Sequence, residues 1–217
     1  MVEYEKHCVW SVLFRLFHWS FALSIVTLAV TGFYIHHPWT NTVLEGRGAF
    51  PVADMRFVHF VAGYVFTAAI LVRLFLWFFG NTEERVTDFI PINRRNVNNL
   101  KRTLLLYLYL SDRLDLRRGH NVLAGISYVV LMGLALLQIL SGFCLLFPES
   151  LAWQGWGLAV LGTQMEIRVF HHLNTWLFLT FAFIHVYIVI WNDIHFPEWL
   201  ISAIFNGCKF LKKHYDY

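Results

Sequence analysis

Four long apolar stretches constrain this chain more than any other feature of its sequence. They run over about 10–34, 57–79, 122–147 and 169–191. Each is long enough to cross the hydrocarbon core of a bilayer, which takes about 20 helical residues. Helices tend to end near prolines, and we place all five prolines in the connections: Pro38, Pro51, Pro91, Pro148 and Pro197. The sequence therefore predicts four transmembrane helices.

The composition supports lipid as the solvent for much of the chain. Of its 217 residues, 58% are hydrophobic and 14% are charged, whereas a soluble domain carries about 25% charged residues. The first stretch contains Arg15 and His18 and lacks a small-residue cleavage site, so we expect a retained helix and not a signal peptide. We predict an all-α, integral membrane four-helix bundle in which 1–217 form a single domain.

Lysine and arginine are concentrated in the tail and in one of the three connections. The connection between the second and third stretches contains eight of the 17: Arg85, Arg94, Arg95, Lys101, Arg102, Arg113, Arg117 and Arg118. The C-terminal tail adds Lys209, Lys212 and Lys213. The other connections offer Arg47, with Arg56 and Arg168 at helix entrances. The positive-inside rule then places both termini in the cytoplasm.

Two of these cytoplasmic segments have an amphipathic pattern. They are 96–112, with the sequence NVNNLKRTLLLYLYLSD, and the tail over 197–210. Each is expected to form either a helix lying on the membrane surface or a structured connector in the cytoplasm. The three cysteines, Cys8, Cys144 and Cys208, are isolated and odd in number. They predict neither a disulfide framework nor an iron–sulfur cluster.

Histidine is unusually abundant for a membrane protein, since ionisable groups inside a bilayer are costly and usually functional. Three of the histidines follow an arginine by three residues with two apolar residues between them: Arg15 and His18, Arg56 and His59, and Arg168 and His171. Residues at this spacing share a helix face. Haem iron binds neutral imidazole, and haem propionates attract a cation. A snorkelling arginine with an incidental histidine explains one such pair, but a threefold repeat favours haem.

The fourth stretch supplies a further histidine, His185, fourteen residues after His171. That spacing turns a helix through about 1400°, to within about 40° of the starting face, with a rise of about 21 Å. His172 lies about 140° from His185 and is the poorer candidate. The alternating helix directions then predict one haem between His59 and His171 near the external side. A second haem is predicted between His18 and His185 near the cytoplasm.

Two further residues lie at the depths in the membrane where the two haems are predicted. Gly32 lies fourteen residues after His18, so it is expected to face the external haem and allow close approach of its ring. Arg73 lies fourteen residues after His59, near the cytoplasmic end. An arginine inside an apolar helix needs a partner. That partner is either a propionate of the cytoplasmic haem or, if the side chain snorkels, a lipid phosphate.

Several motifs carry a family resemblance over nearly the whole chain and in helix order. They are FRLFHW in the first stretch, RFVHFVAGYVF in the second, GHN at the start of the third, and FHHLNTW followed by HVY in the fourth. The chain resembles the b-type cytochrome subunit of membrane-bound nickel–iron hydrogenases. These proteins belong to a wider group of bacterial four-helix cytochromes b that includes membrane subunits of formate dehydrogenases.

The resemblance implies a multi-pass subunit of the bacterial cytoplasmic (inner) membrane. It implies that electrons pass from the small and large hydrogenase subunits outside, through two b haems, to menaquinone or ubiquinone. The implied iron ligands are His18, His59, His171 and His185, the same four that the spacing selects. Arg168 departs from the family pattern, which leaves its propionate role open. No cysteine set here suits nickel and iron, so the chain is expected to lack a hydrogen-activating site of its own and to act as the electron-transfer and quinone-reducing subunit.

One more family-matched histidine, His120, opens the third stretch. A quinone carbonyl needs a hydrogen-bond donor and, on reduction, a proton, and imidazole supplies both. We therefore expect His120 to line a quinone site with Asn121 and Tyr128. The alternative is that the segment only caps the helix, because asparagine is a good N-cap residue.

Other functions remain open from the residues alone. The chain is alternatively the membrane cytochrome b subunit of a formate dehydrogenase or of another quinone-linked oxidoreductase, which the co-purifying catalytic subunit would reveal. A stand-alone cytochrome b reductase would be active without a partner. A transporter with structural histidines would bind no haem, and the uninterrupted apolar stretches argue against it.

Overall fold

The structure, a computed structural model, describes residues 4–40, 50–112, 117–196 and 199–212. Arg47, Arg113 and Lys213, which count toward the charge asymmetry, lie outside these residues. The elements follow one another along the chain as β1 (Tyr4–Cys8), α1 (Val12–His36), α2 (Pro51–Phe79), α3 (Val86–Phe89), α4 (Arg94–Tyr107), α5 (Val122–Leu146), α6 (Leu151–Leu161), α7 (Gln164–His195), α8 (Leu200–Asn206) and β2 (Cys208–Lys212).

Four of these helices, α1, α2, α5 and α7, are long and apolar enough to cross a membrane. Their outward surfaces are apolar, as Val26, Phe75 and Phe183 illustrate, each of which is more than half exposed. Such extended apolar surface is costly in water and favourable in lipid. The prediction of an all-α integral membrane fold with four spanning helices is confirmed.

Two of the spanning helices, α2 and α7, begin well before the apolar stretches that mark them in the sequence. The second begins at Pro51, a residue we had assigned to a connection, and proline is well suited to the first helical position. Asp54 lies in the same first turn, where the helix dipole favours a negative charge. The fourth helix likewise starts at Gln164, before the predicted 169. Hydropathy marks the lipid-facing part of a helix and misses its polar ends.

The chain divides into two compact units, which we describe separately. The first unit comprises Met1–His18, Leu71–Met132 and Ala182–Tyr217, and the second comprises Trp19–Ile70 and Gly133–Phe181. The single domain over 1–217 stays a prediction.

In the first unit, the two short strands pair in an antiparallel arrangement, from Tyr4 opposite Lys212 to Cys8 opposite Cys208. A disulfide joins Cys8 and Cys208. The sequence-based expectation of no disulfide was wrong for this pair, because only strand pairing brings together cysteines that are 200 residues apart. The tail is thus a short helix followed by a strand, and not one amphipathic helix.

The helix α4 of the first unit turns its polar side inward. Its buried residues are Asn96, Asn99, Thr103 and Leu106. The amide nitrogen of Asn96 donates to the backbone carbonyls of Asp88 and Ile90, at 3.0 and 2.7 Å. Val97 and Leu104 are exposed instead. The predicted amphipathic helix exists, and its outward apolar side suits a membrane surface, which stays a prediction.

The second unit contains α6, an apolar helix that we had not distinguished from its connection. Its Trp153 stacks on Phe143 with ring centroids 5.4 Å apart. It ends at Gly162, whose φ of 86° is a conformation that favours glycine.

The packing of α5 predicts different effects of alanine at two of its glycines. A Cβ at Gly125 would overlap with the side chain of Phe89, which is fully buried, whereas a Cβ at Gly133 meets nothing within 4 Å. Gly125→Ala should destabilise the chain by about 1–3 kcal/mol because the core has no room for it. Gly133→Ala should be neutral, or stabilising by up to about 1 kcal/mol.

Thermal unfolding of the two variants in the same detergent would check this. Equal midpoints for Gly125→Ala and Gly133→Ala would contradict the packing of Phe89 against α5.

Candidate functional site

Two histidine pairs dominate the interior, one in each unit. In the second unit, His59 of α2 and His171 of α7 have ring centroids 6.4 Å apart. In the first unit, His18 of α1 and His185 of α7 have ring centroids 6.5 Å apart. The structure therefore brings together the four histidines that the sequence selected, in the predicted pairs.

The separation within each pair suits one metal ion between two imidazoles. With metal–nitrogen bonds of about 2 Å, two rings bound on opposite sides of one ion place their centroids about 6 Å apart. The observed separations of 6.4 and 6.5 Å are close to that value. The distance between the two rings of each pair is thus compatible with one metal ion between them.

Glycines lie against both ligand rings of the second unit. A Cβ at Gly32 of α1 would be 3.3 Å from Cε1 of His59, and a Cβ at Gly142 of α5 would be 3.3 Å from Cε1 of His171. Contacts this short would press on the imidazoles. The absence of a Cβ at Gly32 therefore lets α1 pack closely against His59. Gly142 has the same effect for α5 and His171, and it was not predicted from the sequence.

Hydroxyl groups contact the same edge of these two rings. Thr31 Oγ1 is 2.8 Å from Nδ1 of His59, and Ser141 Oγ is 2.8 Å from Nδ1 of His171. Neither residue was predicted from the sequence. A signal was present, since each precedes one of the glycines, as Thr31-Gly32 and Ser141-Gly142.

An amide lies at the remaining nitrogen of His171. Nε2 of Gln138 is 3.1 Å from Nε2 of His171, and Oε1 of Gln138 accepts a hydrogen bond from Asn174 at 2.8 Å. The amide therefore presents its N–H to the imidazole nitrogen that a metal would use. Metal binding at His171 requires this amide to turn away.

The arginines that precede the histidines occupy different environments. Arg15 donates a hydrogen bond to the carbonyl of Phe205 in the first unit. Arg56 and Arg168 are exposed, and the guanidinium of Arg56 is 5.9 Å from the ring centroid of Phe60. Of these three arginines, Arg15 is thus the least exposed.

Arg73 is buried in the first unit, with 3% of its surface exposed. Its Nη1 donates to the carbonyl of Glu84 at 3.0 Å, and its guanidinium lies 5.0 Å from the ring centroid of Phe14. The carboxylate of Glu84 accepts a hydrogen bond from the backbone N–H of Ser11 at 2.7 Å. Arg73 therefore points into the protein and does not snorkel to lipid phosphates.

His120 lies among aromatic side chains in the first unit. Its ring centroid is 4.5 Å from that of Trp10 and 4.9 Å from that of Tyr128. Its Nδ1 is buried and makes no hydrogen bond within the described residues. Burial lowers the pKa of His120 well below its usual value, and the charges of Arg73 and Lys209 lower it further. The imidazole is therefore neutral at pH 7, with an unused polar atom in an apolar pocket.

Asn121, beside it, caps α5. Its Oδ1 accepts a hydrogen bond from the backbone N–H of Ala124 at 2.7 Å. The N–H of Val122 donates to Oδ1 of Asn99 at 2.9 Å. The capping role that we weighed for the segment thus applies to Asn121, whereas His120 points elsewhere.

His172 does not face His59. Its ring centroid is 4.7 Å from that of His36, and its Nε2 accepts a hydrogen bond from the indole N–H of Trp176 at 3.3 Å. His172 therefore points away from His59, as the helical spacing predicts.

Known proteins resemble the chain over all four long helices. The prokaryotic cytochrome b561 family matches residues 9–207. A probable Ni/Fe-hydrogenase B-type cytochrome subunit of Cupriavidus necator is 33% identical over 91% of this chain and 84% of that protein. The protein of the same name in Azotobacter vinelandii is 31% identical over 94% and 88%. A probable Ni/Fe-hydrogenase 1 B-type cytochrome subunit of Escherichia coli K12 is 29% identical over 94% and 91%.

The buried position of His120 predicts a change in acid sensitivity. Below its usual pKa of 6.5, the unfolded chain takes up a proton at His120, whereas the folded chain, with its lowered pKa, does not. The free energy of unfolding therefore falls as the pH decreases below 6.5, by at most about 1.4 kcal/mol per pH unit. His120→Phe and His120→Gln should both remove this part of the pH dependence.

Thermal unfolding of the wild type and both variants from about pH 7.5 to pH 5 would measure this pH dependence of the free energy of unfolding. The two replacements differ in polarity but neither protonates, so they should reduce the slope by the same amount. A wild-type slope in both would contradict the burial of His120.

Proposed function

Because the chain belongs to the prokaryotic cytochrome b561 family, we propose that it is the membrane electron-transfer subunit of a nickel–iron hydrogenase, with two b haems and quinone as acceptor. It is a multi-pass protein of a bacterial membrane, with four spanning helices. The observation that carries the proposal is the pair of bis-histidine sites, with ring separations of 6.4 and 6.5 Å. The two imidazoles of each pair would hold one haem iron between them.

The residues around each pair fit a haem. His59 and His171 bind one haem iron, and His18 and His185 bind the other. Gly32 and Gly142 let their helices pack closely against the imidazoles of the first of these sites, where any larger side chain would crowd the rings. When bound, each haem supplies a one-electron carrier within a layer that excludes ions and water.

The arginines bind the haem propionates. Arg15 lies one helical turn from His18, and Arg73 is a buried cation of the same unit, so both serve the His18–His185 haem. Arg56 and Arg168 lie one turn from His59 and His171 and serve the other haem. The charge of the buried Arg73 is already offset by the nearby Glu84, and a propionate would be a second anion for its guanidinium.

His120 and Tyr128 form the quinone site, with Asn121 at its edge. The Nδ1 of His120, which makes no hydrogen bond within the described residues, would donate to a quinone carbonyl or accept from a quinol hydroxyl, and the neighbouring aromatic rings would pack on the quinone ring. The neutral imidazole would relay a proton to a reduced quinone oxygen from one ring nitrogen while its other ring nitrogen takes up a proton from the aqueous side. Tyr128 also lies near His185, with ring centroids 6.1 Å apart, which keeps the distance between the quinone site and that haem short.

Charge orients the complex. The basic residues of the connection between α2 and α5, together with those of the tail, hold both termini in the cytoplasm. The His59–His171 haem is then on the external side and receives electrons from the small and large hydrogenase subunits there. The relatives from Cupriavidus necator and Azotobacter vinelandii are both named hydrogenase cytochrome subunits, which supports this partner over a formate dehydrogenase.

The first experiment is the reduced-minus-oxidised absorption spectrum of the purified chain, with haem quantified per polypeptide. We expect two b haems in the wild type and one in His59→Ala or in His18→Ala, because each loses one axial ligand. His172→Ala is the matched control, since it removes a histidine next to His171 that faces His36. A well-folded wild type without haem, or His59→Ala with two, would contradict the proposal.

A second experiment tests the quinone site. His120→Ala should lower the rate of quinone reduction by about 10²–10⁴-fold, because it removes the proton donor, and it should retain both haems. His195→Ala, in which the lost ring stacks on Trp191 of the same unit, should reduce quinone at the wild-type rate. Loss of haem from His120→Ala would refute its assignment to the quinone.

A further inference from the structure

Each ligand of the second unit is contacted by a hydroxyl–glycine pair on a neighbouring helix. Thr31-Gly32 of α1 lies against His59 of α2, and Ser141-Gly142 of α5 lies against His171 of α7. Both hydroxyl residues are enclosed, Thr31 with 3% and Ser141 with 0% of its surface exposed. Water therefore does not compete for these hydrogen bonds.

The hydrogen bonds at His171 fix the position of its ring proton. The amide N–H of Gln138 points at Nε2, so this nitrogen accepts and carries no proton. The orientation of that amide is set by Asn174, which donates to its oxygen at 2.8 Å. A neutral imidazole then has its proton on Nδ1. This N–H donates to the hydroxyl oxygen of Ser141. The Ser141 hydroxyl in turn donates to the backbone carbonyl of Gln138 at 3.1 Å.

At His59, the hydroxyl of Thr31 identifies the protonated ring nitrogen. The hydroxyl of Thr31 donates its single proton to the carbonyl of Thr27, at 2.7 Å, one helical turn away. Its oxygen is then left to accept from Nδ1–H of His59, at 2.8 Å. His59 is thereby held in the tautomer that exposes the lone pair of Nε2.

We propose that Thr31 and Ser141 are positioning residues that hold His59 and His171 in the Nδ1-protonated tautomer and set the redox potential of the haem between them. The proposal rests on the function proposed above. An axial imidazole that donates Nδ1–H to an acceptor is more basic and stabilises the oxidised iron. The hydroxyls therefore lower the potential of this haem, while each adjacent glycine leaves room for the ring to adopt the required orientation.

The test is an optical redox titration of the purified full-length chain carrying Thr31→Val, Ser141→Ala or both. Valine keeps the shape of threonine but offers no acceptor. The wave of the His59–His171 haem should move to a more positive potential, and the double variant should move it furthest. The wave of the His18–His185 haem should stay in place. Haem affinity at the altered site should fall by about 10–100-fold, as for other residues that support a metal ligand.

Two matched controls separate this role from a general effect on the helices. Thr27→Val removes a hydroxyl from α1 that donates to the Leu23 carbonyl at 2.9 Å. Ser127→Ala removes one from α5 that donates to the Ala124 carbonyl at 2.7 Å. Both should leave the potentials unchanged. Thr31→Ser, which keeps the acceptor, should restore the wild-type potential and remains informative if Thr31→Val fails to fold.

The outcomes distinguish the proposal from the function on which it rests. Wild-type potentials in Thr31→Val, Ser141→Ala and the double variant, with both haems bound, would overturn the positioning role alone. A shift of equal size in Thr27→Val would also overturn it, because a backbone effect would then suffice. A wild type without haem would overturn the proposed function and this role together.

Discussion

A polar group inside a membrane-spanning helix finds no water, so it must bond within the chain. The interior follows this rule: the hydroxyls of Ser24, Thr27 and Thr31 all donate to backbone carbonyls of their own helix. The amide of Asn174 donates to the Leu134 carbonyl and to Gln138. The two pairs of facing imidazoles lie in this interior, and Nδ1 of both His59 and His171 is bonded to a hydroxyl of a neighbouring helix.

The two pairs have different electrostatic surroundings. In the first unit, the cations Arg73 and Lys209 are buried and Arg15 is partly buried. The second unit surrounds His59 and His171 with hydroxyls and an amide. Positive charge favours the reduced state of an iron centre, and hydrogen bonds from its ligands favour the oxidised state. Within the proposed function, both effects make electron flow from the His59–His171 haem to the His18–His185 haem downhill.

Helical periodicity explains what could be predicted. The pairing of the four histidines and the place of Gly32 in the second unit follow from spacing and the alternating helix directions, because helix geometry fixes which residues share a face. Gly142 and Ser141 were missed because their partner, His171, lies on another helix and no local pattern reports a cross-helix contact. The strand pairing of Cys8 with Cys208 was missed for the same reason. Arg73 was predicted to need a partner, but the carbonyl of Glu84 was not foreseen because it lies in a connection.

The terminal sheet has a consequence for the order of assembly. Strand β1 precedes all four spanning helices and β2 follows them, yet the two pair over five residues and are joined by a disulfide. During synthesis on the ribosome, β1 must therefore wait beside the membrane until α7 has been inserted. The segments of the second unit, which end at Phe181, are complete before then. The two strands can thus pair only late in biogenesis, after the chain has been translated through its last spanning helix.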